Sequence, residues 1–182
     1  MKAPSLKIQY QLYRGDLDQG IYSGLGRLNF VKGGQYNGEF KDGEFDGKGS
    51  LTRRDKVRFE GHWKQSKPHG WLRKIYANGD YYEGEWVNGK QEGFGSFKWS
   101  NGWNYDGQWK GGKMNGNGRL CSKEENYCGL FENDEYAGPA LLPKNFESTC
   151  AENKHHTFSM KSSQRGKQYE VKEDEKFEDM LR

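Results

Sequence analysis

Hydrophobic and polar positions alternate along most of this chain of 182 residues. In the stretch YYEGEWV, Tyr82, Gly84 and Trp86 alternate with Glu83 and Glu85. Since every second residue of a β-strand points to the same face, this spacing predicts a strand with rings and glycine on one face and carboxylates on the other. A second alternating stretch, GFGSFKW, follows after VNGK, whose Asn-Gly pair favours a tight turn. The two stretches together predict an antiparallel β-hairpin.

The hairpin pattern recurs at a fixed period, which decides the architecture. Its aromatic-x-Gly cores begin at Tyr13, Tyr36, Phe59, Tyr82, Tyr105 and Tyr127, and nine residues after each first glycine comes another glycine. An isolated hairpin is marginal in water, whereas stacked hairpins bury one another's aromatic faces. The sequence therefore predicts an all-β fold, an elongated, twisted, single-layer antiparallel sheet of stacked hairpins.

The period also divides the chain. A lead-in strand is expected over residues 1–12, six hairpin repeats over 13–142, a polar linker over 143–163 and a tail over 164–182. In the tail, Phe177, Met180 and Leu181 have the spacing of a short amphipathic helix, and a mobile acidic tail is the alternative.

The glycines predict how the rings pack. Folding the fourth hairpin about Gly89-Lys90 would place Trp86 opposite Gly93, Gly84 opposite Gly95 and Tyr82 opposite Phe97. An aromatic ring that lies over a glycine of the neighbouring strand stabilises that position.

The connections between hairpins carry a second expectation. Phe97 and Tyr105 can share a face only if the intervening turn has three residues or a bulge. The equivalent step before Tyr127 is one residue shorter, so the last hairpin is expected to lie slightly out of register.

Composition agrees with a thin, ring-rich sheet. Hydrophobic residues make up only 32% of the chain, but aromatic residues reach 15% and there are 26 glycines, too many for a helical protein. No apolar run has the length of a membrane span, and the N-terminus lacks the apolar stretch of a signal peptide. A cytoplasmic location is therefore expected. Cys121 and Cys128 could face each other across a hairpin, which leaves a disulfide between them open.

The repeated pattern Tyr-x-Gly-x-Trp-x-x-Gly-Lys-x-x-Gly-x-Gly resembles the MORN repeat family. The best copies are YEGEWVNGKQEGFG, from Tyr82, and YDGQWKGGKMNGNG, from Tyr105. Leu17, Ser66, Leu72, Asp134 and Ala140 depart from the pattern. The resemblance implies a non-enzymatic scaffold that dimerises or holds a segment of another protein in its aromatic groove. It also implies an association with cytoskeleton, cilia or membranes.

Two interpretations of the aromatic face stay open: its rings only hold the hairpins together, or they form an exposed strip that binds a helical or extended protein segment. The second interpretation predicts partner contacts at Tyr36, Phe40, Phe59, Trp63, Tyr82, Trp86, Trp99, Tyr105, Trp109, Tyr127 and Phe131.

A peripheral membrane adaptor is the alternative function. Lys64, Lys67, Arg73 and Lys74 form a modest basic cluster that could bind anionic headgroups. Nucleic acid is not expected as a partner, because acidic residues flank the rings and the net charge is only +3.

No enzymatic site or cofactor is predicted. GEWVNGK, from Gly84 to Lys90, spells the G-x-x-x-x-G-K pattern of a phosphate loop, but Gln91 stands where that loop needs a hydroxyl. His62 and His69 lack a converging third ligand, so no metal site is expected. No nucleophile, base and acid have the spacing of a catalytic set.

Overall fold

A computed structural model describes residues 10–139, which form one twelve-stranded antiparallel sheet. The strands follow one another across the sheet in chain order, so each strand pairs with its sequence neighbours. The described residues contain no helix. The strands are β1 (Tyr10–Asp18), β2 (Ile21–Phe30), β3 (Gly34–Lys41), β4 (Glu44–Arg53), β5 (Arg58–Lys64), β6 (Lys67–Ile75), β7 (Tyr81–Val87), β8 (Lys90–Lys98), β9 (Asn104–Lys110), β10 (Lys113–Cys121), β11 (Asn126–Glu132) and β12 (Glu135–Gly138).

The all-β, single-layer hairpin array predicted from the period is confirmed. Six hairpins are present, from β1–β2 to β11–β12. Of the predicted lead-in strand, residues 10–12 belong to β1, and residues 1–9 lie outside the described residues. The linker over 143–163 and the tail over 164–182, with its predicted helix, lie outside the described residues.

Two-residue turns close the hairpins. In the fourth hairpin Val87 pairs with Lys90, so the chain reverses at Asn88 and Gly89, whose φ angles are 49° and 84°. Both residues are left-handed, as a type I′ turn requires. The chain therefore does not reverse at Gly89-Lys90, and Trp86 lies opposite Gln91 rather than Gly93.

A bulge explains the difference. Between the pairs Gly84–Gly95 and Trp86–Gln91, one residue of β7 faces three residues of β8. The extra residues include Gly93, whose φ of 64° suits glycine. The Glu85 carboxylate accepts a hydrogen bond from the Phe94 N–H at 3.1 Å and so closes the bulge.

The same closure recurs along the array at a sequence separation of nine. Three more acceptors bond a backbone N–H in this way: Asp16 to Leu25 at 3.2 Å, Glu39 to Lys48 at 2.9 Å and Gln108 to Asn117 at 2.7 Å. The bulge is therefore a property of the repeat.

Tyrosine rings lie along a row of paired glycines. Gly84 pairs with Gly95 and Tyr82 with Phe97, as predicted. A Cβ built on Gly95 would meet the Tyr82 hydroxyl, so the ring occupies the space that a side chain would need. The Tyr82 hydroxyl reaches past the glycines and donates to the carbonyl of Glu85 at 3.1 Å.

The third repeat departs from this pattern at two positions together. Leu72 replaces a glycine of the row and is fully buried opposite Gly61. The ring of this repeat is Phe59, which has no hydroxyl to extend along the row. Phe59 lacks the hydroxyl and Leu72 is larger than glycine, so the two changes together conserve the side-chain volume along the glycine row.

Tryptophans join consecutive repeats. The indole N–H groups of Trp63, Trp86 and Trp109 each donate to a backbone carbonyl of the preceding repeat, at 3.1, 3.0 and 3.1 Å. The carbonyls belong to the glycine row, at Gly49, Leu72 and Gly95. Each of these tryptophans thus fixes its repeat to the one before it.

The connection between the fourth and fifth hairpins has the predicted three-residue turn. The Trp99 N–H donates to the Trp103 carbonyl at 2.9 Å, and Phe97 pairs with Tyr105. Before Tyr127 the predicted loss of register is wrong. A shorter turn absorbs the missing residue, and Gly118 still pairs with Gly129.

The disulfide between Cys121 and Cys128 is not formed. Cys121 is a free, buried thiol that lies opposite Asn126.

Candidate partner-binding surface

The rings predicted as partner contacts form the core of the protein. Ten of the eleven are buried, and the eleventh, Tyr127, packs partly buried against them. This burial favours the first interpretation, in which the rings hold the hairpins together. The buried members are Tyr36, Phe40, Phe59, Trp63, Tyr82, Trp86, Trp99, Tyr105, Trp109 and Phe131.

Residues near the bulged hairpin ends cover these rings. Phe45, at the beginning of β4, stacks on Tyr36 with ring centroids 3.7 Å apart and an interplanar angle of 6°. Phe40 and Trp63 pack edge-on against the same ring at 5.1 and 5.7 Å. One strand layer can bury its rings because its own rings surround each tyrosine.

Burial raises the pKa of Tyr36, Tyr82 and Tyr105, since an ionised phenol would lose its hydration. These hydroxyls therefore stay protonated as hydrogen-bond donors, which is how they reach the carbonyls at the bulges.

The opposite face of the sheet, here called the solvent face, exposes different rings. Trp71 lies opposite Glu85, and Phe94 lies opposite Gln108. Trp71 is 52% exposed and Phe94 is 57% exposed. Each follows the second glycine of its repeat, so the two rings hold equivalent positions in neighbouring repeats. Leu25 has the same position two repeats earlier and is also exposed.

A shallow groove of about 440 Å³ lies on this face of the sheet. Trp71 and Phe94 form part of its walls, and Gly95 and Gly107 contribute bare backbone. The remaining lining is polar or aromatic and comes from Tyr81, Glu83, Ser96, Lys98 and Asp106.

The polar lining is held by contacts within the face. The guanidinium of Arg73 lies over the Tyr81 ring, 4.4 Å from its centroid, and its Nε is 3.9 Å from a Glu83 oxygen. The Ser96 hydroxyl donates to Asp106 at 2.5 Å. These contacts fix both carboxylates along the groove.

Lys98 is the cation of the groove. Its ammonium lies 5.6 Å from the centroid of the Tyr81 ring. A hydrogen bond with the Tyr81 side chain raises the pKa of Lys98. The groove thus offers a fixed pair of carboxylates and one exposed ammonium beside its rings.

The four predicted headgroup ligands do not form one cluster. Lys64 and Lys67 face each other beside a hairpin turn. Arg73 lies on the solvent face, whereas Lys74 lies in the aromatic row opposite Phe59 and Tyr82. The Lys74 ammonium is 4.3 Å from the Tyr76 ring centroid, and burial lowers its pKa to about 8.

Metal-ligand clusters and membrane-spanning helices are both absent from the described part of the chain. Over residues 10–139 no group of three or more His, Cys, Asp or Glu side chains could hold a metal ion. No helix in this part is long and apolar enough to cross a membrane.

The sequence did not predict the solvent-face rings, because Trp71 and Phe94 occupy strand positions that alternate with those of the predicted aromatic face. The signal that could have found them is their separation of 23 residues, one repeat period. A ring that recurs at the polar parity of a strand indicates a surface role, because the fold does not need it.

Comparison with known families identifies the repeats. The MORN repeat family matches residues 13–35, 36–58, 59–70, 82–103 and 105–123, which together exceed half of the chain. The chain belongs to the MORN repeat family. The MORN matches begin at Tyr13, Tyr36, Phe59, Tyr82 and Tyr105, the first residues of five of the six predicted cores. A search of curated proteins finds no match. MORN repeats are commonly protein-binding or membrane-binding repeats, and a repeat sheet of this kind is generally non-enzymatic.

Proposed function

We propose that this MORN-repeat protein is a non-enzymatic scaffold that holds a helical or extended segment of another protein on its solvent face. The observation that carries the proposal is the pair Trp71 and Phe94, two large rings that are each about half exposed and that line the same groove. Tryptophan is enriched among residues that anchor protein interfaces.

The fold gives no structural reason for these rings to be aromatic. Lys48 and Asn117 hold the equivalent positions in the adjoining repeats, where the sheet and its bulges are the same. Exposed apolar surface on a water-facing strand favours association with another molecule. Trp71 and Phe94 therefore support binding rather than packing.

The groove is rigid before any partner arrives. Behind it, the buried rings and the indole hydrogen bonds fix each strand to its neighbours. A surface that needs no ordering loses less conformational entropy on binding. We assign the sequence-predicted rings this supporting role, and their direct contact with a partner stays a prediction.

Selection of peptides from a random library on the intact protein tests the proposal. Bound peptides are then measured against a Trp71→Ser/Phe94→Ser variant and against a matched Leu25→Ser/Val87→Ser variant. Leu25 and Val87 are also exposed, at 67% and 46%, but do not line the groove.

The first variant should weaken binding at least about tenfold, because interface anchors typically contribute about 2 kcal/mol or more. The matched variant should bind normally. Selection that yields no peptide, or peptides that bind both variants equally well, would refute the proposal.

The membrane alternative stays a prediction. It depends on four neighbouring cations, and the structure places only Lys64 and Lys67 together, beside a hairpin turn. Titration with anionic vesicles tests it.

A further inference from the structure

Three consecutive hairpin turns bring five exposed lysines together along the side of the sheet on which the hairpin turns lie. Lys64 and Lys67 flank the third turn, Lys90 follows the fourth, and Lys110 and Lys113 flank the fifth. This set is called the lysine edge. None of its members lines the groove that Trp71 and Phe94 line.

The fold assembles the lysine edge from distant positions in the chain. The Gly89 N–H donates to the Pro68 carbonyl at 2.9 Å, and the Gly112 N–H donates to the Gln91 carbonyl at 3.0 Å. Each hydrogen bond runs from the second residue of one turn to a residue of the preceding hairpin, close to the turn of that hairpin. The three turns therefore lie side by side.

Lysines outnumber carboxylates along the lysine edge. None of its five lysines forms an ion pair within residues 10–139. Two carboxylates reach its turns, where Asp46 accepts from the Gln65 N–H at 3.3 Å and Glu92 accepts from the Gly111 N–H at 2.8 Å, so the edge keeps an excess of positive charge.

The basic edge has clear ends. The turns of the third, fourth and fifth hairpins contain no acidic residue. The second turn carries Asp42 and Glu44 beside its lysine, and the sixth carries Glu132, Asp134 and Glu135. Positive charge is thus limited to three turns.

The pairing of like charges is a cost that the fold does not require. Lys64 lies directly opposite Lys67, and Lys110 directly opposite Lys113. Like charges at directly opposed positions destabilise an antiparallel pair. The sixth hairpin pairs Glu132 with Glu135 at the same place, so the position does not call for lysine. A bound anion would relieve the repulsion at both lysine pairs.

We propose that the lysine edge binds an acidic, extended segment of a partner protein. Turns that are two strands apart are separated by about 9–10 Å, and three residues of an extended chain span about the same distance. An acidic side chain at every third residue would therefore meet successive turns. The inference goes beyond the groove proposal, because it uses other residues and another chemistry.

The twist of the sheet favours a flexible chain over a flat membrane. Adjacent strands rotate by about 20–25°, so the three turns, which span four strand steps, rotate by about 80–100°. A planar bilayer cannot contact all three turns at once, whereas an extended peptide can follow the edge.

Titration with a fluorescent peptide of repeated Glu-Ser-Gly triplets tests the inference. A second peptide of identical composition carries its glutamates in one block. The variant Lys64→Gln/Lys90→Gln/Lys110→Gln is compared with Lys32→Gln/Lys48→Gln/Lys123→Gln, which removes the same charge from exposed lysines elsewhere. Phosphatidylcholine–phosphatidylserine vesicles and oligothymidylate are titrated in parallel.

The spaced peptide should bind more tightly than the block peptide, and added salt should weaken it, because exposed charges are screened beyond about 8–10 Å at physiological ionic strength. The edge variant should weaken it about tenfold, since each exposed pair contributes up to about 1 kcal/mol, and the control variant should not.

Equal loss in both lysine variants, or equal binding of both peptides, would overturn the inference. Stronger binding of vesicles or oligothymidylate that depends on the same three lysines would also overturn it, in favour of those ligands. The Trp71→Ser/Phe94→Ser variant should bind the spaced peptide normally, so failure of the groove proposal can be told from failure of this one.

Discussion

Replacement of Gly95 by alanine tests the packing of tyrosine over glycine. A Cβ at this position would meet the hydroxyl, Cζ and Cε2 of Tyr82, the last two at 2.5 and 2.6 Å. No real Cβ contact is this short, so the ring must move. Tyr82 is fully buried, with Trp86 and Trp109 packed edge-on at 5.4 and 5.0 Å, and it has no free space to enter.

The size of the effect follows from these contacts. Overpacking a close-packed core costs about 1–3 kcal/mol. A displaced ring also loses the hydrogen bond from its hydroxyl to Glu85, which contributes about 1 kcal/mol. Alanine restricts the unfolded chain and returns about 0.5 kcal/mol. We expect Gly95→Ala to lower the free energy of unfolding by about 1.5–3.5 kcal/mol.

A double-mutant cycle with Tyr82→Leu isolates the ring contact. Without the ring, the added methyl group at Gly95 has space, so Gly95→Ala should cost little in that background. Gly84→Ala is the matched control, because its Cβ would meet not only the Tyr82 hydroxyl at 2.6 Å but also backbone, the Gly95 Cα at 2.5 Å and the Phe94 carbonyl at 2.7 Å. Removing the ring should therefore leave most of its cost in place.

Urea unfolding followed by tryptophan fluorescence measures all six proteins of the two cycles. The midpoint for Gly95→Ala should fall by about 0.5 M or more at a typical slope of about 1–3 kcal/mol per M. If Gly95→Ala is neutral in the wild-type background, or costs as much in the Tyr82→Leu background as in the wild type, the tyrosine ring does not fill the glycine row and the reasoning fails.

Three further perturbations have expected outcomes. Trp109→Phe removes the indole hydrogen bond to the Gly95 carbonyl, so urea midpoints should show a loss of about 0.5–1.5 kcal/mol; an unchanged midpoint would exclude the indole as a link between repeats. Glu85→Ala removes the acceptor that closes the bulge at Phe94 and should cost about 0.5–1.5 kcal/mol, whereas Glu85→Gln retains an acceptor oxygen and should recover most of it; equal losses would refute the closure. Burial lowers the pKa of Lys74 to about 8 from an ordinary value near 10.5, so the unfolded chain binds more protons between these values and stability should rise with pH from about 8 toward 10. The rise should be on the order of 1–3 kcal/mol in urea midpoints taken at successive pH values, and it should vanish in Lys74→Leu; a rise that persists in the variant would assign the effect to another group.

The pairings nearest the repeated motif could be predicted from the sequence. Tyr82 with Phe97 and Gly84 with Gly95 were predicted by folding about Gly89-Lys90. The chain reverses one residue earlier, and the two residues that the bulge adds to β8 restore both pairings. The pairing of Gly93 could not be predicted in this way. The bulge shifts the register beyond Gly84, and Gly93 lies opposite Trp109 of the next repeat. The hydrogen bond that closes this bulge joins a side chain to a backbone N–H nine residues away. The alternation of apolar and polar residues does not reveal such a bond.

The candidate surfaces were predicted less well than the fold. Sequence reasoning chose the rings of the repeated motif, which the structure buries, and missed Trp71 and Phe94 on the other face. Exposure depends on what neighbouring repeats place over a side chain, and one repeat does not contain that information. The lysine edge has the same origin, since hydrogen bonds between successive turns bring its members together.

The sequence by itself determined the repeat, the strand alternation, the hairpin turns and the family, because each depends on residues close together in the chain. The tertiary structure decided which rings are covered, which are exposed and which charges become neighbours. The physical reason is that stacking places residues one period apart within a few strand spacings of each other. Burial and charge then depend on the whole array, whereas alternation depends only on each strand.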